Sequence, residues 1–197
     1  MPAYDARTSL VVVDLQNDFA DPDGSLAVAG AALILPVVNA AVAEAHDGRA
    51  LIVATQDWHP ETTPHFAKDG GPWPVHCVAG TWGAELHPGF TLPGDAPRVR
   101  KGTNGEDGYS GFTMRDSATG DEIPTELDAL LRDRGIDRVV VCGLATDYCV
   151  KATAIDAIRL GYAVELLADG VAAVELDPGD GARAIDDMRA EGVLVLA

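Results

Sequence analysis

Short apolar, β-branched runs alternate along this chain with stretches in which apolar residues recur every three to four positions. The run Ser9–Val13 has no polar face after its first residue, which predicts a strand covered on both sides. Ala50–Thr55 and Arg138–Val141 read the same way, and shorter runs at Arg98–Arg100, Ala163–Leu167 and Val193–Leu196 complete the set. Between them the spacing predicts helices over Ala31–His46, stopped at Gly48, over Leu127–Arg134, ended by Gly135, over Asp147–Leu160, capped by Gly161, and over Gly181–Glu191. Glycine just past the last periodic residue ends a helix because it accepts the left-handed conformation needed there. Strands alternating with helices build βαβ units with right-handed crossovers. The expected fold is therefore α/β, three layers deep, with a mainly parallel sheet in the middle.

Two segments break the pattern. Asp57–Pro97 is long and rich in Pro, Gly, His and Trp; loops of that length in compact domains are functional or disordered, and its aromatics argue against disorder. Ser117–Pro124 reads as a small surface turn or hairpin insertion.

At 197 residues the chain fits one domain spanning 1–197, large enough to bury a core without staples. Three cysteines, Cys77, Cys142 and Cys149, make an odd number without framework spacing, which points to a reducing, cytoplasmic compartment. No apolar run approaches the roughly 20 residues needed to cross a bilayer, and the start Met1-Pro2-Ala3-Tyr4-Asp5 lacks the regions of a signal peptide. With 31 acidic against 14 basic residues the formal charge is −17. That balance repels phosphate backbones and anionic membranes, so neither nucleic acid nor membrane is an expected partner, while a homo-oligomer stays open.

Ligands of open α/β sheets bind outside the carboxyl ends of the strands, and three reactive side chains belong there. Asp14 closes the first strand, where a charge needs a partner or a raised pKa. Lys101, one of three lysines, closes the third. Cys149 lies in Gly143-Leu144-Ala145-Thr146-Asp147-Tyr148-Cys149-Val150, where a strand breaks and a helix begins, with Asp147 as the expected N-cap. The helix dipole and cationic Lys101 should both favour thiolate there. Each residue also has an ordinary reading: a turn cap for Asp14, solvated surface for Lys101, apolar filler for Cys149. Their convergence on one sheet edge is what favours chemistry.

A second cluster follows the second strand. Asp57 and His59 are two apart, so an extended backbone points both the same way, and His65 and His76 belong to the loop that would fold over them. Three histidines and a carboxylate suit one divalent cation, with zinc the first choice and iron or manganese as alternatives. Loop histidines that merely hydrogen-bond are the competing reading. His46 and His87 fall outside the cluster, and Cys77 is expected to be packed.

Asp14 within Val13-Asp14-Leu15-Gln16-Asn17-Asp18-Phe19, Asp57-Trp58-His59 with His65, Trp73-Pro74-Val75-His76-Cys77, Lys101-Gly102 before Asp107-Gly108-Tyr109-Ser110-Gly111-Phe112, and the segment around Cys149 together resemble the nicotinamidase/pyrazinamidase branch of the isochorismatase-like hydrolases. The resemblance spans nearly the whole chain. It implies a six-stranded parallel sheet of order 3-2-1-4-5-6 and a cysteine amidase that converts nicotinamide to nicotinate and ammonia through a thioester. It makes Asp14, Lys101 and Cys149 the catalytic triad and Asp57, His59, His65 and His76 the metal ligands. It further implies a cis peptide between Leu144 and Ala145, backbone amides of Ala145 and Cys149 aimed at the oxyanion, and Phe19 and Trp73 sandwiching the substrate ring with Tyr109 nearby. Two rival readings are a related hydrolase acting on a vinyl ether or another small amide, and a non-catalytic α/β binding module. The first usually lacks the histidine cluster. The second would want a glycine-rich phosphate loop where this chain has Asp14-Leu15-Gln16-Asn17-Asp18.

Overall fold

The computed structural model describes residues 2–196. In chain order the strands are β1 (Thr8–Val13), β2 (Leu51–Asp57), β3 (Arg98–Lys101), β4 (Thr113–Arg115), β5 (Glu122–Pro124), β6 (Arg138–Leu144), β7 (Ala163–Ala172) and β8 (Leu194–Leu196). The helices are α1 (Asn17–Ala20), α2 (Ala31–Asp47), α3 (Leu127–Asp133), α4 (Lys151–Arg159) and α5 (Asp180–Ala190). One parallel sheet runs β3-β2-β1-β6-β7-β8, and β4 with β5 forms a separate antiparallel hairpin. The hairpin covers the insertion expected at Ser117–Pro124 but begins earlier, with β4 at Thr113–Arg115. It takes the numbers 4 and 5, so the order 3-2-1-4-5-6 holds once its strands are left out of the count.

Alternation along β1 divides the core. Leu10 and Val12 pack with Ile34, Val38 and Val42 of α2, whereas Val11 and Val13 face Leu131 of α3, Ala154 and Ala157 of α4 and Met188 of α5. Each fully buried aliphatic side chain contributes roughly 1.5–3 kcal/mol. A charge at Val11, which has no exposure, would find no partner on its face. Among the described residues no helix is long and apolar enough to cross a membrane.

Several boundaries move outward from the sequence reading. β2 continues to Asp57 and β6 to Leu144. β7 continues past Leu167, because beyond a register irregularity between Val141 and Gly143 it pairs Val171 with Gly143 and Ala172 with Leu144. Those late pairings are backbone ladder bonds, which Ala168-Asp169-Gly170 can make without an apolar signature. Gly143 itself sits at φ 111°, and a Cβ built there would lie 2.1 Å from the Val13 carbonyl oxygen. Only glycine lets β1 and β6 approach so closely at this height.

The largest departure is at the start of the helix after β6. Regular α-helix begins at Lys151, and Thr146–Val150 forms a π-helical turn instead. Ala145 occupies the cap position and Asp147 does not cap: its carboxylate accepts the Val174 and Glu175 amides at 3.0 Å each. Single π turns inside helices are frequent at functional sites.

Candidate active site

Register brings the reactive groups together. β2 and β3 pair Asp57 with Lys101, and β1 and β6 pair Val13 with Gly143, so Asp14 and the turn after Leu144 leave the sheet side by side. Asp14 takes φ 47°, a left-handed conformation that Asp tolerates better than most residues. The Thr55 hydroxyl fixes it, donating to Asp14 Oδ1 at 2.6 Å and accepting the Asp14 amide at 3.3 Å. Lys101 Nζ donates to Asp57 Oδ1, lies 3.0 Å from Asp14 Oδ2 and donates to Cys149 Sγ at 3.5 Å. Asp14 Oδ2 makes no aligned hydrogen bond and keeps a lone pair for another donor. One oxygen each of Asp14 and Asp57 and the Cys149 sulfur lie within 4.8 Å of one another.

The two carboxyls are pushed apart. Burial acts to raise both, but Lys101 and His59 outweigh it at Asp57, which stays ionised well below the usual range. At Asp14 burial prevails over Lys101, helped by the Asp57 charge, and its proton affinity rises. Lys101 keeps its charge, because the two carboxylates more than offset its burial. Divergent proton affinities in neighbouring carboxyls are how acid and base roles are separated.

Cys149 corrects an expectation. Burial pushes its thiol well above the ordinary value, Lys101 opposes, and Asp14 and Asp57 add to the rise. These surroundings favour the thiol over the thiolate expected from a helix start. A helix start lowers a thiol pKa where the sulfur is solvated and faces only a cation; here the sulfur is buried and faces two carboxylates as well.

On the other side of Asp57 stand three buried histidines. One ring nitrogen from each of His59, His65 and His76 lies within 4.8 Å of the others. Asp57 Oδ2 is 3.8 Å from His59 Nε2 and 3.9 Å from His76 Nε2, so the carboxylate faces Lys101 with one oxygen and the histidines with the other. His76 Nδ1 donates to the Pro74 carbonyl at 2.7 Å and His65 Nδ1 to Asp107 Oδ1 at 2.8 Å; both acceptors require the proton on Nδ1, leaving each Nε2 with its lone pair. Burial lowers His76 to about 4, so it is neutral at pH 7. Both nitrogens of His59 are buried without a hydrogen-bond partner, a cost of about 1–3 kcal/mol for each unsatisfied group. Two imidazoles held through Nδ1, an orphaned imidazole and an ionised carboxylate fit a divalent cation.

Gly102 makes this packing feasible: at φ 78° it follows Lys101, and a Cβ there would come within 2.6 Å of His59 Nδ1. His46 and His87 lie elsewhere, paired with Asp47 at 3.7 Å and Asp21 at 3.7 Å. Cys77 is packed, fully buried with its sulfur 3.9 Å from the Gly83 carbonyl.

A cavity opens onto Cys149, Asp57, His65 and His76. Phe19, Trp73 and Tyr109 line it, as do Leu144 and Ala145, which are joined by a cis peptide. The Tyr148 and Val150 amides both turn to the Ala145 carbonyl, at 3.1 and 3.0 Å.

Sequence reasoning overlooks four contributors. Tyr148 closes one wall, edge-on to Trp73 at 4.9 Å and to Tyr109 at 5.3 Å. Gln16 clamps the Asp57 backbone, donating to its carbonyl at 2.7 Å and accepting its amide at 2.8 Å. Asp18 accepts the Cys77 amide at 2.7 Å and the Ser25 amide at 3.1 Å, tying the loop of His76 to the segment that supplies Leu26 and Val28 to the cavity. Asp107 is the fourth. All stand inside the motifs singled out above, but only long-range contacts reveal what each one holds.

A buried acid, ammonium and thiol beside an aromatic cavity and a histidine cluster define a cysteine-hydrolase type of site on a parallel sheet. The Isochorismatase domain family matches residues 8–197, and the chain belongs to that family. It is 40% identical over 200 residues to the nicotinamidase of Escherichia coli (strain K12), covering 93% of this chain and 92% of that protein. Its structure is similar to that of the pyrazinamidase of Pyrococcus horikoshii in complex with zinc, with TM-score 0.86 and 42% identity, covering 96% of this chain and 98% of that one. It is also similar to PnC1 of L. infantum in complex with nicotinate, with TM-score 0.88 and 39% identity, covering 99% and 95%.

Proposed function

We propose that this chain is an amidase that hydrolyses nicotinamide to nicotinate and ammonia, with pyrazinamide as a second ring amide, through a thioester on Cys149. The observation that carries the reading is Lys101 Nζ standing 3.0 Å from Asp14 Oδ2 and 3.5 Å from the sulfur of Cys149, a residue that lines the aromatic-walled cavity. Relatives named nicotinamidase over most of the chain support it.

In this reading Asp14 accepts the thiol proton through its free Oδ2 as the sulfur attacks the amide carbon. Lys101 holds its positive charge between the sulfur and the carboxylates, which offsets the charge separation of that step. The backbone amides of Ala145 and Cys149 receive the developing oxyanion. The C–N bond then breaks, Asp14 returns its proton to the departing nitrogen, and ammonia leaves. Water attacks the thioester carbon, the C–S bond breaks, and the proton passes through Asp14 back to sulfur, releasing nicotinate and the free thiol. Phe19 and Trp73 hold the flat ring between them, with Tyr109 at its edge.

Asp57, His59, His65 and His76 would hold one divalent ion, zinc in the first instance. When bound, such an ion supplies a Lewis acid that orients lone-pair donors and lowers the pKa of water. The protein's own part is to hold the His65 and His76 rings from behind so that their Nε2 atoms face inward.

Ammonia release from nicotinamide, pyrazinamide and a set of aliphatic amides tests the proposal. Turnover of the ring amides, with aliphatic amides at least about tenfold poorer in kcat/KM, is expected. No turnover of either ring amide by the zinc-loaded chain would overturn it.

A further inference from the structure

We infer that Asp107 is a positioning residue for the histidine cluster, and that the β4–β5 hairpin exists in part to hold it there. The inference rests on the metal centre proposed above.

His65 Nδ1 and the Gly108 amide both donate to a single oxygen, Asp107 Oδ1, at 2.8 Å each. The carboxylate can only accept, so it fixes the proton on His65 Nδ1 and leaves Nε2 free on the side of His59 and His76. A carboxylate behind a ligating imidazole also makes the far nitrogen a better electron-pair donor. His65 is buried and cannot turn to solvent for another acceptor. Of the three histidines, His76 has a backbone carbonyl in this role and neither nitrogen of His59 has a hydrogen-bond partner, so the charged support is unique to His65.

Asp107 is itself anchored from outside the site. Its amide donates to the Arg115 carbonyl at 2.8 Å and its carbonyl accepts the Arg115 amide at 2.6 Å, an antiparallel bridge to the end of β4. One residue earlier, Met114 Sδ accepts the Gly102 amide at 3.2 Å, next to the glycine surface on which His59 rests. Thr113 donates to Asp156 of α4 at 2.8 Å, fastening the same strand to the body of the protein. Three consecutive residues of β4 thus contact, in turn, α4, the backbone beneath His59 and the residue behind His65. The neighbouring acid, Glu106, takes no part: its carboxylate accepts the amide and side chain of Asn104.

The test is zinc affinity of the metal-stripped chain, measured by competition with a chromophoric chelator, with the thermal midpoint of the stripped protein as control. Asp107→Ala should weaken zinc about 10–100-fold and leave that midpoint nearly unchanged, since the side chain is half-exposed. Asp107→Asn, which keeps an acceptor for Nδ1–H but not the charge, should recover part of the loss. Glu106→Ala should bind zinc within about twofold of wild type, as surface charge alone has little reach. Combined with His65→Ala, Asp107→Ala should add almost nothing, because both act through one imidazole. The inference is overturned if Asp107→Ala binds zinc as tightly as wild type, or if Glu106→Ala weakens it equally. A wild-type chain that binds no zinc overturns the metal centre itself, and this inference with it.

Discussion

Asp57 divides the site into two regions built on opposite electrostatic plans. On one side Lys101, Asp14 and Cys149 make a compact charged cluster in which almost every polar atom is engaged by another. On the other side His59, His65 and His76 each turn one ring nitrogen toward the middle, with His65 and His76 held from behind and His59 without a hydrogen-bond partner. In the proposed reaction the first region would move protons within itself, and the second would offer electron pairs to a cation brought from outside. One carboxylate serves both only because Lys101 keeps it ionised while burial and the Asp57 charge raise the proton affinity of Asp14.

The two plans should separate most sharply at the sulfur. Cys149→Ala should lower ammonia release from nicotinamide by about 10⁴-fold or more while zinc affinity stays within about twofold. A variant that lost zinc along with turnover would show that the two regions are not separable. Asp57→Ala is the substitution expected to damage both. Zinc affinity should fall by more than the roughly 10–100-fold expected for loss of an outer-shell partner, because a direct ligand is removed. Stability should drop by about 3–5 kcal/mol in chemical denaturation, because a buried lysine loses a partner. A clean loss in only one assay would remove Asp57 from its shared position.

The smallest effect is the most diagnostic of the charged side. Asp14 raises the thiol pKa, so Asp14→Asn leaves the lysine to draw it down. Below the thiol pKa a lower pKa means more thiolate. Alkylation of Cys149 by iodoacetamide at pH 7 should therefore speed up with the thiolate fraction, about tenfold if the thiol pKa falls by one, even as turnover is lost. Cys142 supplies the internal standard: it is fully buried in apolar surroundings that push its thiol up to about 12, and it should stay unmodified in both proteins. Slower alkylation of Cys149 in the variant would refute the assignment of Asp14 as the group that holds the thiol proton in place.

Much of this is legible in the chain, and for a physical reason. Strand cores such as Leu10–Val13 and Val139–Val141 are read correctly because burial on both faces leaves no polar position to confuse the period. Asp14, Lys101 and Cys149 are placed correctly because a polar residue ending such a run, or opening the turn that follows it, must sit at the sheet edge. The turn carrying Cys149 reads as regular helix because local propensity does not distinguish a first α-turn from a π turn. In the structure Asp147 reaches across to Val174 and Glu175 instead of capping, a long-range contact that local propensity does not encode. Tyr148 escapes notice with it, since its direction follows from the turn. Asp107 gives no signal, being one acid within an acidic stretch and 42 positions from the histidine it supports.

Gly143 has a consequence for anyone who would alter this protein. With its missing side chain it lets the main chains of β1 and β6 touch just beneath the site. The gap between Asp14 and Cys149 is thereby gauged by peptide groups rather than by movable side chains. Cavity walls such as Phe19, Trp73 and Val174 hang from other segments and can be reshaped for a different ring without disturbing that gauge. A methyl group at Gly143, though it touches nothing in the cavity, would force the two halves of the chemistry out of reach of each other.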